Sequence, residues 1–284
     1  MEVWIAEVAT GEAVSAHKYE AEKGKPRSAT TVLRAVGVLA GILDTAVKQN
    51  RLTKNPARNT DNLPRKKSKK RHRYLSHMEV GRLADAAGAR GPLVLTLAYL
   101  GLRWGEATEL RVGDVNPLRR RVHVERSATA VKRVIQIGPV KSWEDRIVPL
   151  PSFLMEVIAE ACVNKSADAL LFPEPGATKH AGIPDLRDDR NGWWTLAVRE
   201  AGLDRLTPHD LRHTCASLAV SAGANVKALQ RMLGHKSAAM TLDIYADLFD
   251  DDLDQVAGVL DQARSDALVS KKCPPEESGK AVPA

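Results

Sequence analysis

A strongly basic stretch that cannot be buried divides this chain unequally. Between residues 51 and 75 there are ten Lys and Arg residues against the single acid Asp61, which gives 10 − 1 = +9 and exceeds the +7 of the whole sequence. Pro64 interrupts helix in the same stretch, and few of its side chains could join a core. We therefore expect a basic interdomain linker over residues 63–73, preceded by a small module over residues 1–62.

The charge distribution indicates a polyanionic partner. The basic residues are concentrated between residues 51 and 75, whereas acidic residues accumulate near the other end of the chain, at Asp247, Asp250, Asp251, Asp252, Asp254 and Asp261. Because Lys and Arg side chains neutralise phosphates, a protein with its cations gathered in one place is suited to grip a nucleic-acid backbone. The predicted DNA contacts of the linker are Arg65, Lys66, Lys67, Lys69, Lys70, Arg71 and Arg73. A merely solvated connector or a nuclear-type address is the alternative interpretation of this run.

Helical and strand patterns define the fold class. Apolar residues at helical spacing predict an amphipathic helix over 30–50, so the first module should be small and mostly helical. In the second module, Ser76 and Glu79 form a capping box that begins a helix. Further helices are predicted over 92–100, 153–162, 193–200, 207–222, 226–233 and after 241, and strands over 122–124, 134–137 and 146–149. The chain is thus predicted to be mainly α with a small antiparallel β-sheet, an α+β fold, with the second domain over 74–264 and a disordered tail over 265–284.

Several classes of protein are disfavoured by composition. Three cysteines, Cys162, Cys215 and Cys273, are an odd number without C-x-x-C spacing, which argues against a disulfide framework and against a zinc site. The longest apolar run, 93–102, is shorter than the ~20 residues that a membrane span requires. We therefore expect no membrane partner and a cytoplasmic location.

The segment from Thr207 to His213 carries the sharpest local signal. Thr207 is a good N-cap and the following proline suits the first helical position, so a helix should begin here. His209 and Arg212 then share one face of the first turn, where backbone N–H groups also attract an anion. One interpretation is that the two side chains form a phosphate site. The other is that they are solvated or paired with carboxylates.

A zinc pair is the further alternative at this helix. His209 and His213 have the i, i+4 spacing of two metal ligands. No Glu lies between them, and Arg212 would place a positive charge beside the ion. We therefore expect no metal, and a packing role for His213.

Four segments occur in the order and approximate spacing of a known family. They are Ala98 to Glu106, with Gly101-Leu102-Arg103 at its centre, His209 to Thr214, Leu233 to Ser237, and Thr241 to Ala246. With these segments the sequence from about 74 to 249 resembles the tyrosine recombinase, or phage integrase, family. Singly, Arg103 could be an ion-pair partner of Glu106 or Glu109, Tyr245 a half-buried phenol, and Gly234-His235 a helix cap.

The resemblance implies a catalytic set of six residues. They are Arg103, Lys141, His209, Arg212, His235 and Tyr245. Arg103 and Arg212 resemble the family's arginine pair, and Tyr245 its nucleophile. Lys141 resembles the lysine of its mobile β-hairpin, with Lys132 as an alternative in the same strand region. The tryptophans Trp104, Trp193 and Trp194 are expected in the core, with packing on DNA as the alternative.

Physical chemistry supports the same roles. Two planar guanidinium groups can bind the non-bridging oxygens of a phosphodiester bidentately, which suits Arg103 and Arg212. A tyrosine hydroxyl with a pKa of about 10 needs a base or cationic surroundings, and His209 is the candidate base. Lys141 would protonate the leaving 5′-oxygen, and His235 would bind the phosphate or position the nucleophile. Neither a metal nor any other cofactor is required.

The function implied is that of a site-specific DNA recombinase (integrase), which cleaves and rejoins DNA through a 3′-phosphotyrosyl intermediate for integration or excision of a prophage or mobile element. The expected partners are double-stranded DNA and DNA-bending accessory proteins. The protein is expected to form a homotetramer on synapsed DNA and to be a monomer or weak oligomer when free. Residues 1–62 would be a shortened helical core-DNA-binding domain of SAM-like type. The alternatives are a type IB topoisomerase-like enzyme that relaxes DNA, and a non-catalytic DNA-binding regulatory remnant.

Overall fold

The computed structural model describes most of the chain as two compact units. Its described residues are 1–13, 24–61, 63–65, 73–131, 134–140, 145–184 and 191–237, with six single residues between 258 and 268. One unit comprises residues 1–71 and the other residues 72–284.

Within its described residues the first unit contains two helices, α1 (Glu2–Thr10) and α2 (Ala29–Lys48). The helix predicted over 30–50 is confirmed by α2, whereas α1 was not predicted. The two helices pack through Ile5, Val32 and Val36, all buried. This small unit therefore depends on a core of few side chains.

Asn55 ties the chain that follows α2 back onto this helix. Its amide Nδ2 donates to Ala40 O at 2.9 Å and to Asp44 Oδ1 at 2.6 Å, and its Oδ1 accepts from the Ala57 backbone N at 2.8 Å. Asn55 is buried, so these bonds satisfy polar groups that water does not reach. Helix α2 has already ended at Lys48, and the bonds of Asn55 hold the following chain against the helix.

The length and hydropathy of α2 match those of a membrane span, which the sequence was not expected to contain. Only 17% of its most apolar window is buried within the structure. The helix also carries Arg34, Asp44 and Lys48. A helix from the core of a water-soluble protein passes the same test, so length and composition alone do not show that α2 crosses a membrane.

The second unit contains seven α-helices within its described residues. They are α3 (His77–Ala86), α4 (Gly91–Leu100), α5 (Trp104–Glu109), α6 (Ser152–Cys162), α7 (Trp193–Glu200), α8 (Pro208–Ser221) and α9 (Val226–Leu233). All except the short α5 were predicted. At the start of α3 the capping box is present, because Glu79 N donates to Ser76 Oγ and Ser76 N donates to Glu79 Oε2. The helix expected after 241 lies almost entirely outside the described residues.

Two small antiparallel sheets replace the single sheet that was expected. Strands β1 (Val115–Asn116), β2 (Arg121–Val124) and β5 (Arg146–Pro149) form one sheet in the order β1-β2-β5. Strands β3 (Arg126–Val131) and β4 (Val134–Pro139) form a separate hairpin. Val122 lies opposite Val148 in the first sheet, and both side chains are fully buried. The fold class is α+β, as predicted.

The core of this unit lies between α4 and the surrounding helices. Leu97 and Leu211 are buried where α4 packs against α8. Trp194 is also buried, and its Nε1 donates to Leu206 O at 2.8 Å. Trp104 and Trp193 are partly buried against the same core, with ring centroids 6.3 Å apart. The core position expected for Trp194 is confirmed, and Trp104 and Trp193 lie at the edge of the core.

Gly101 brings the end of α4 into contact with α8 and α9. The residue has φ +62°, the left-handed conformation that ends many helices. A Cβ at this position would lie 2.6 Å from Leu233 Cδ2 and 3.1 Å from Cys215 Sγ. A glycine is therefore required for both its backbone conformation and its lack of a side chain, and it sets where the next residues of the chain lie.

Gly101→Ala should lower the free energy of unfolding by about 3 kcal/mol, because left-handed strain and overlap with Leu233 add to one another. Gly202→Ala is the matched control, since Gly202 has φ +69° and a Cβ there would meet no described atom beyond its chain neighbours within 4 Å. It should lose only about 1–2 kcal/mol. Urea unfolding measures both. Equal losses would contradict the close approach at Gly101.

Candidate active site

Arg103 lies in the short connection between α4 and α5. Its backbone N donates to Glu106 Oε2 at 2.9 Å and its Nη1 donates to Glu106 Oε1 at 2.7 Å. A third bond joins Nη2 to Gly234 O at 3.3 Å. Arg103 is therefore an ion-pair partner of Glu106, one of the alternatives that its sequence left open, and its side chain is still 27% exposed at the surface of the unit.

Arg212 comes from α8 and is almost completely buried. Its Nη1 donates to Gly101 O at 2.6 Å, and its Nη2 donates to Leu233 O. Each bond joins the guanidinium to the end of another helix, α4 or α9. Because a buried guanidinium must satisfy its N–H groups, these carbonyls fix the plane of the side chain.

The capping box at the start of α8 orients His209. Asp210 Oδ2 accepts from the backbone N of Thr207 at 2.8 Å and from its Oγ1 at 2.7 Å. His209 is exposed in the first turn, whereas His213 is buried one turn later. The two imidazole rings meet edge to face with centroids 4.9 Å apart. His213 thus packs against His209, the role expected for it.

His235 follows the left-handed glycine that ends α9. Gly234 has φ +64°, and Gln230 Nε2 donates to His235 O at 2.7 Å, which holds the turn. Burial lowers the pKa of His235 to about 4, helped by the charges of Arg212, then Arg103, Arg146 and His209. The imidazole is therefore neutral at neutral pH and able both to donate and to accept a hydrogen bond.

Glu106 and Arg146 were not among the expected site residues. The Glu106 side chain has no exposed surface, and Arg146 Nη2 donates to its Oε2 at 2.7 Å. Burial raises the pKa of Glu106, but the hydrogen bond and charge of Arg146, then the backbone N–H and the charge of Arg103, lower it to about 2. One sequence signal was available: Glu106 occupies the third position of a helix that begins after Arg103, the place of a capping carboxylate.

A cavity of about 750 Å³ opens beside His235, between β5 and the end of α9. Its described lining is mostly polar or charged: Asp145, Arg146, Ile147, Gln230, Arg231, Gly234, His235 and Lys236. Gln230 Oε1 is buried without a hydrogen-bond partner among the described residues. Three of the lining residues, Arg146, Arg231 and Lys236, are cationic against the one acid Asp145, so the cavity favours a negatively charged ligand.

Four of the six expected catalytic residues meet in this region of the second unit. Arg103 and Arg212 both donate to carbonyls at the end of α9, and the pKa of His235 responds to the charges of both arginines and of His209. Lys141 and Tyr245 lie outside the described residues. The arrangement provides guanidinium groups and a neutral imidazole, the groups needed to bind a phosphodiester. In the described ranges, no three His, Cys, Asp and Glu side chains are placed to hold a metal ion.

Most of the predicted linker contacts also lie outside the described residues, namely Lys66, Lys67, Lys69, Lys70 and Arg71. Arg65 is exposed. Arg73 pairs with Asp204 and with Glu79, the latter at 3.3 Å. Part of its charge is therefore used within the second unit.

Comparison with known proteins identifies the family. A family model described as the phage integrase family matches residues 73–251. This is 179 of the 284 residues, and the chain belongs to that family. The resemblance noted in the sequence is confirmed.

Relatives include recombinases from several bacteria. A protein named as the integrase of prophage phiRv2 of Mycobacterium tuberculosis is 30% identical over 220 residues, which cover 75% of this chain and 58% of that protein. Tyrosine recombinase XerC of Vibrio cholerae is 26% identical over 261 residues, 88% of this chain and 76% of that protein. The chain thus spans somewhat more than half the length of the prophage relative.

Solved structures share the fold. The Tn1549 transposon integrase in complex with transposon right end DNA superposes with a TM-score of 0.69 at 20% identity, over 90% of this chain and 84% of that one. A λ integrase dimer bound to a core site gives a TM-score of 0.54 at 19% identity, over 84% and 80%. At these identities the likeness describes the fold alone.

The free energy of unfolding should decrease as the solution becomes acidic, in two windows. The pKa of His235 is about 4 in the folded protein against an ordinary 6.5, so the unfolded chain binds the proton first and stability falls from pH 6.5 towards 4. The pKa of Glu106, about 2 against 4.5, extends the fall below pH 4.5. Urea unfolding at a series of pH values measures both.

His235→Gln should flatten the upper window while leaving the lower one. His77→Gln, at an exposed histidine on α3, serves as the control and should retain both. An upper window that is unchanged in His235→Gln would show that this imidazole is not the group held neutral by burial and by the arginines.

Proposed function

We propose that this chain is a site-specific DNA recombinase of the integrase type, which cleaves and rejoins double-stranded DNA through a 3′-phosphotyrosyl intermediate on Tyr245. The observation that carries the proposal is the convergence of Arg103, Arg212 and His235 at the end of α9, in a chain that belongs to the phage integrase family. Integration or excision of a prophage or mobile element is the proposed role, as the names of its relatives suggest.

The two arginines are proposed to bind the scissile phosphate. A phosphodiester under attack gathers negative charge on its non-bridging oxygens, and preorganised guanidinium groups stabilise that charge without reorganising during the reaction. The bonds from Arg103 and Arg212 to carbonyl oxygens hold each side chain in one orientation before DNA arrives. Preorganisation of this kind is worth more in a site that excludes water.

The proton transfers follow from the same assignment. The Tyr245 oxygen attacks phosphorus while its proton passes to His209, and the bond from phosphorus to the 5′-oxygen breaks. Lys141 gives a proton to that 5′-oxygen. The neutral His235 donates a hydrogen bond to the phosphate or positions Tyr245. The phosphotyrosyl linkage is itself a phosphodiester. A 5′-hydroxyl of a second strand can therefore attack it, release Tyr245 and rejoin the DNA without ATP or a metal.

The remaining parts of the chain are assigned supporting roles. Residues 1–62 would be a shortened core-DNA-binding domain, residues 63–73 a basic linker against the DNA backbone, residues 74–264 the catalytic domain and residues 265–284 a disordered tail. We infer a homotetramer on synapsed DNA, a monomer or weak oligomer in its absence, DNA-bending proteins as accessory partners and a cytoplasmic location. Structures of relatives contain integrase bound to DNA, which supports a DNA partner for this chain.

Wild-type protein mixed with nicked DNA from the sequences that flank its gene should form a covalent adduct that persists on denaturing gels, and Tyr245→Phe should form none. The phenyl ring has the same shape but lacks the attacking oxygen. Tyr99→Phe is the matched control, because Tyr99 lies in α4 and its hydroxyl bonds to His77 Nδ1 at 2.8 Å. It should retain the adduct.

Other outcomes separate the alternative functions. Sequence-selective binding without any adduct would replace the enzyme by a regulatory DNA-binding remnant. Relaxation of supercoiled plasmid by monomers, without strand exchange, would indicate an enzyme like a type IB topoisomerase.

Truncation after Asp250 should abolish synapsis and leave single-site DNA binding intact. In the final segment Leu253, Val256 and Leu260 recur at helical spacing in the sequence, and Leu260 is 65% exposed in helical conformation. Apolar side chains at helical spacing suit packing on a neighbouring subunit. Truncation after Arg264, which removes only the tail, is the control and should recombine normally. Recombination at the wild-type rate by the shorter protein would eliminate this role.

A further inference from the structure

Three arginines from three different elements donate to three successive carbonyls at the end of α9. Arg146 Nε donates to Met232 O at 2.8 Å, Arg212 Nη2 donates to Leu233 O, and Arg103 Nη2 donates to Gly234 O at 3.3 Å. The last carbonyls of a helix have no partner within the helix and carry its partial negative charge. One helix end therefore determines where three guanidinium groups lie, and two of them have a proposed role in binding phosphate.

Arg146 donates hydrogen bonds through all three of its guanidinium nitrogens. In addition to Met232 O, its Nη1 and Nη2 donate to the two carboxylate oxygens of Glu106 at 3.2 and 2.7 Å. Its side chain is only 8% exposed and that of Glu106 is fully buried. A charge in such surroundings is tolerated only when it is paired with good geometry, so neither residue can be moved independently of the other.

Glu106 connects Arg146 to Arg103. Oε1 accepts from Arg103 Nη1 and Arg146 Nη1, and Oε2 accepts from the Arg103 backbone N and Arg146 Nη2. These four bonds come from both sides of one carboxylate. If Arg146 were lost, the carboxylate could rotate, and the guanidinium of Arg103 would rotate with it.

Arg146 also borders the turn that carries His235. A Cβ on Gly234 would lie 3.3 Å from Cδ, Nε and Nη1 of Arg146, a tight approach to a side chain whose other bonds hold it in place. Its charge is also one cause of the low pKa of His235. Arg146 therefore influences two expected active-site residues, Arg103 through Glu106 and His235 through the turn.

We propose that Arg146 is a positioning residue for DNA cleavage, which holds Glu106 and the carbonyl end of α9 and thereby fixes Arg103 and His235 against the scissile phosphate. This inference rests on the proposed function. Arg146 begins β5, five residues after Lys141. The guanidinium of Arg146 thus joins β5, the strand that follows Lys141, to the side chains proposed to bind phosphate.

A second buried ion pair in the same unit supplies a matched control. Glu109, also in α5, has no exposed side-chain surface, and Oε1 accepts from Arg111 Nε at 3.1 Å and Nη2 at 2.9 Å. Arg111 Nη1 donates to a backbone carbonyl, that of Asp168, at 3.2 Å. Arg111 therefore resembles Arg146 in joining a buried carboxylate to a backbone carbonyl, although it bonds one carboxylate oxygen and is 30% exposed. None of these bonds reaches α9.

The experiment compares Arg146→Lys with Arg111→Lys in the full-length protein. A lysine retains the charge but cannot bond both carboxylate oxygens and a carbonyl in one plane. Both variants should melt at reduced temperatures, Arg111→Lys by the smaller amount because Glu109 also contacts His180 and Arg126, and both should bind nicked DNA with nearly wild-type affinity. At saturating DNA, Arg146→Lys should form the adduct about 100-fold more slowly than wild type, because a small displacement of a positioned group has an effect of that size. Arg111→Lys should form it at close to the wild-type rate.

A neutral methylphosphonate at the scissile position provides a readout that a general folding defect would not alter. With one oxygen charge removed, cleavage depends less on where Arg103 lies, so the defect of Arg146→Lys should shrink to less than about 10-fold. A defect equal on both substrates, or cleavage by Arg146→Lys as fast as by Arg111→Lys, overturns the proposal.

The paired variant Glu106→Gln with Arg146→Met keeps the test valid if Arg146→Lys does not fold. Replacing both members of a buried ion pair by neutral side chains of similar size is often close to neutral for stability. This double variant should cleave at least as slowly as Glu106→Gln alone, because Arg146 acts through Glu106 and through the carbonyl end of α9. A wild-type rate overturns the proposal. If neither the wild type nor Arg111→Lys forms an adduct, the result counts against the proposed function itself. If the wild type forms the adduct and Arg146→Lys forms it equally fast, the result counts only against the role of Arg146.

Discussion

The buried carboxylate of Glu106 is the interaction on which the site depends. A carboxylate without exposed surface can remain ionised only if donors replace the water that it has lost. Here Arg103 and Arg146 provide those donors from opposite sides, and they lower the pKa of Glu106 to about 2 despite its burial. Because the donors come from separate parts of the chain, the ion pair also fixes the relative positions of α5 and β5.

The arginines that pair with Glu106 also place positive charge close to His235. Positive charges held close together repel one another, and nearby carbonyls at the end of α9 offset this repulsion. Burial, and then the charges of these arginines, lower the pKa of His235 to about 4 and keep its imidazole neutral. A site that concentrates positive charge in this way is suited to an anionic ligand, whose arrival relieves the repulsion between the arginines.

Much of the local structure could be predicted from the sequence because its signals are short-range. The capping boxes at Ser76 and Thr207 and the glycine after Leu233 predicted where α3 and α8 begin and where α9 ends. Two helices were missed for identifiable reasons. In α1 there is no side-chain N-cap, and α5 has only six residues, too few to show a period. Strand β3 was not predicted, and the strand predicted over 134–137, which is β4, was placed in one sheet with the others because strand patterns do not specify partners.

The sequence by itself determined most of the helices and several of their ends, the family and the identity of the expected catalytic side chains. Those features depend on backbone capping, on periodicity and on motifs a few residues long, all of which are readable along the chain. Only the tertiary structure decided that Arg146 would join Glu106 and that three arginines would meet at the end of α9. The pairing of Arg146 with Glu106 links residues that are 40 positions apart, and no local pattern records which distant carboxylate or carbonyl will accept a given guanidinium. The choice is made by packing, since burial of each charge is tolerated only where the fold brings its partners within hydrogen-bonding distance.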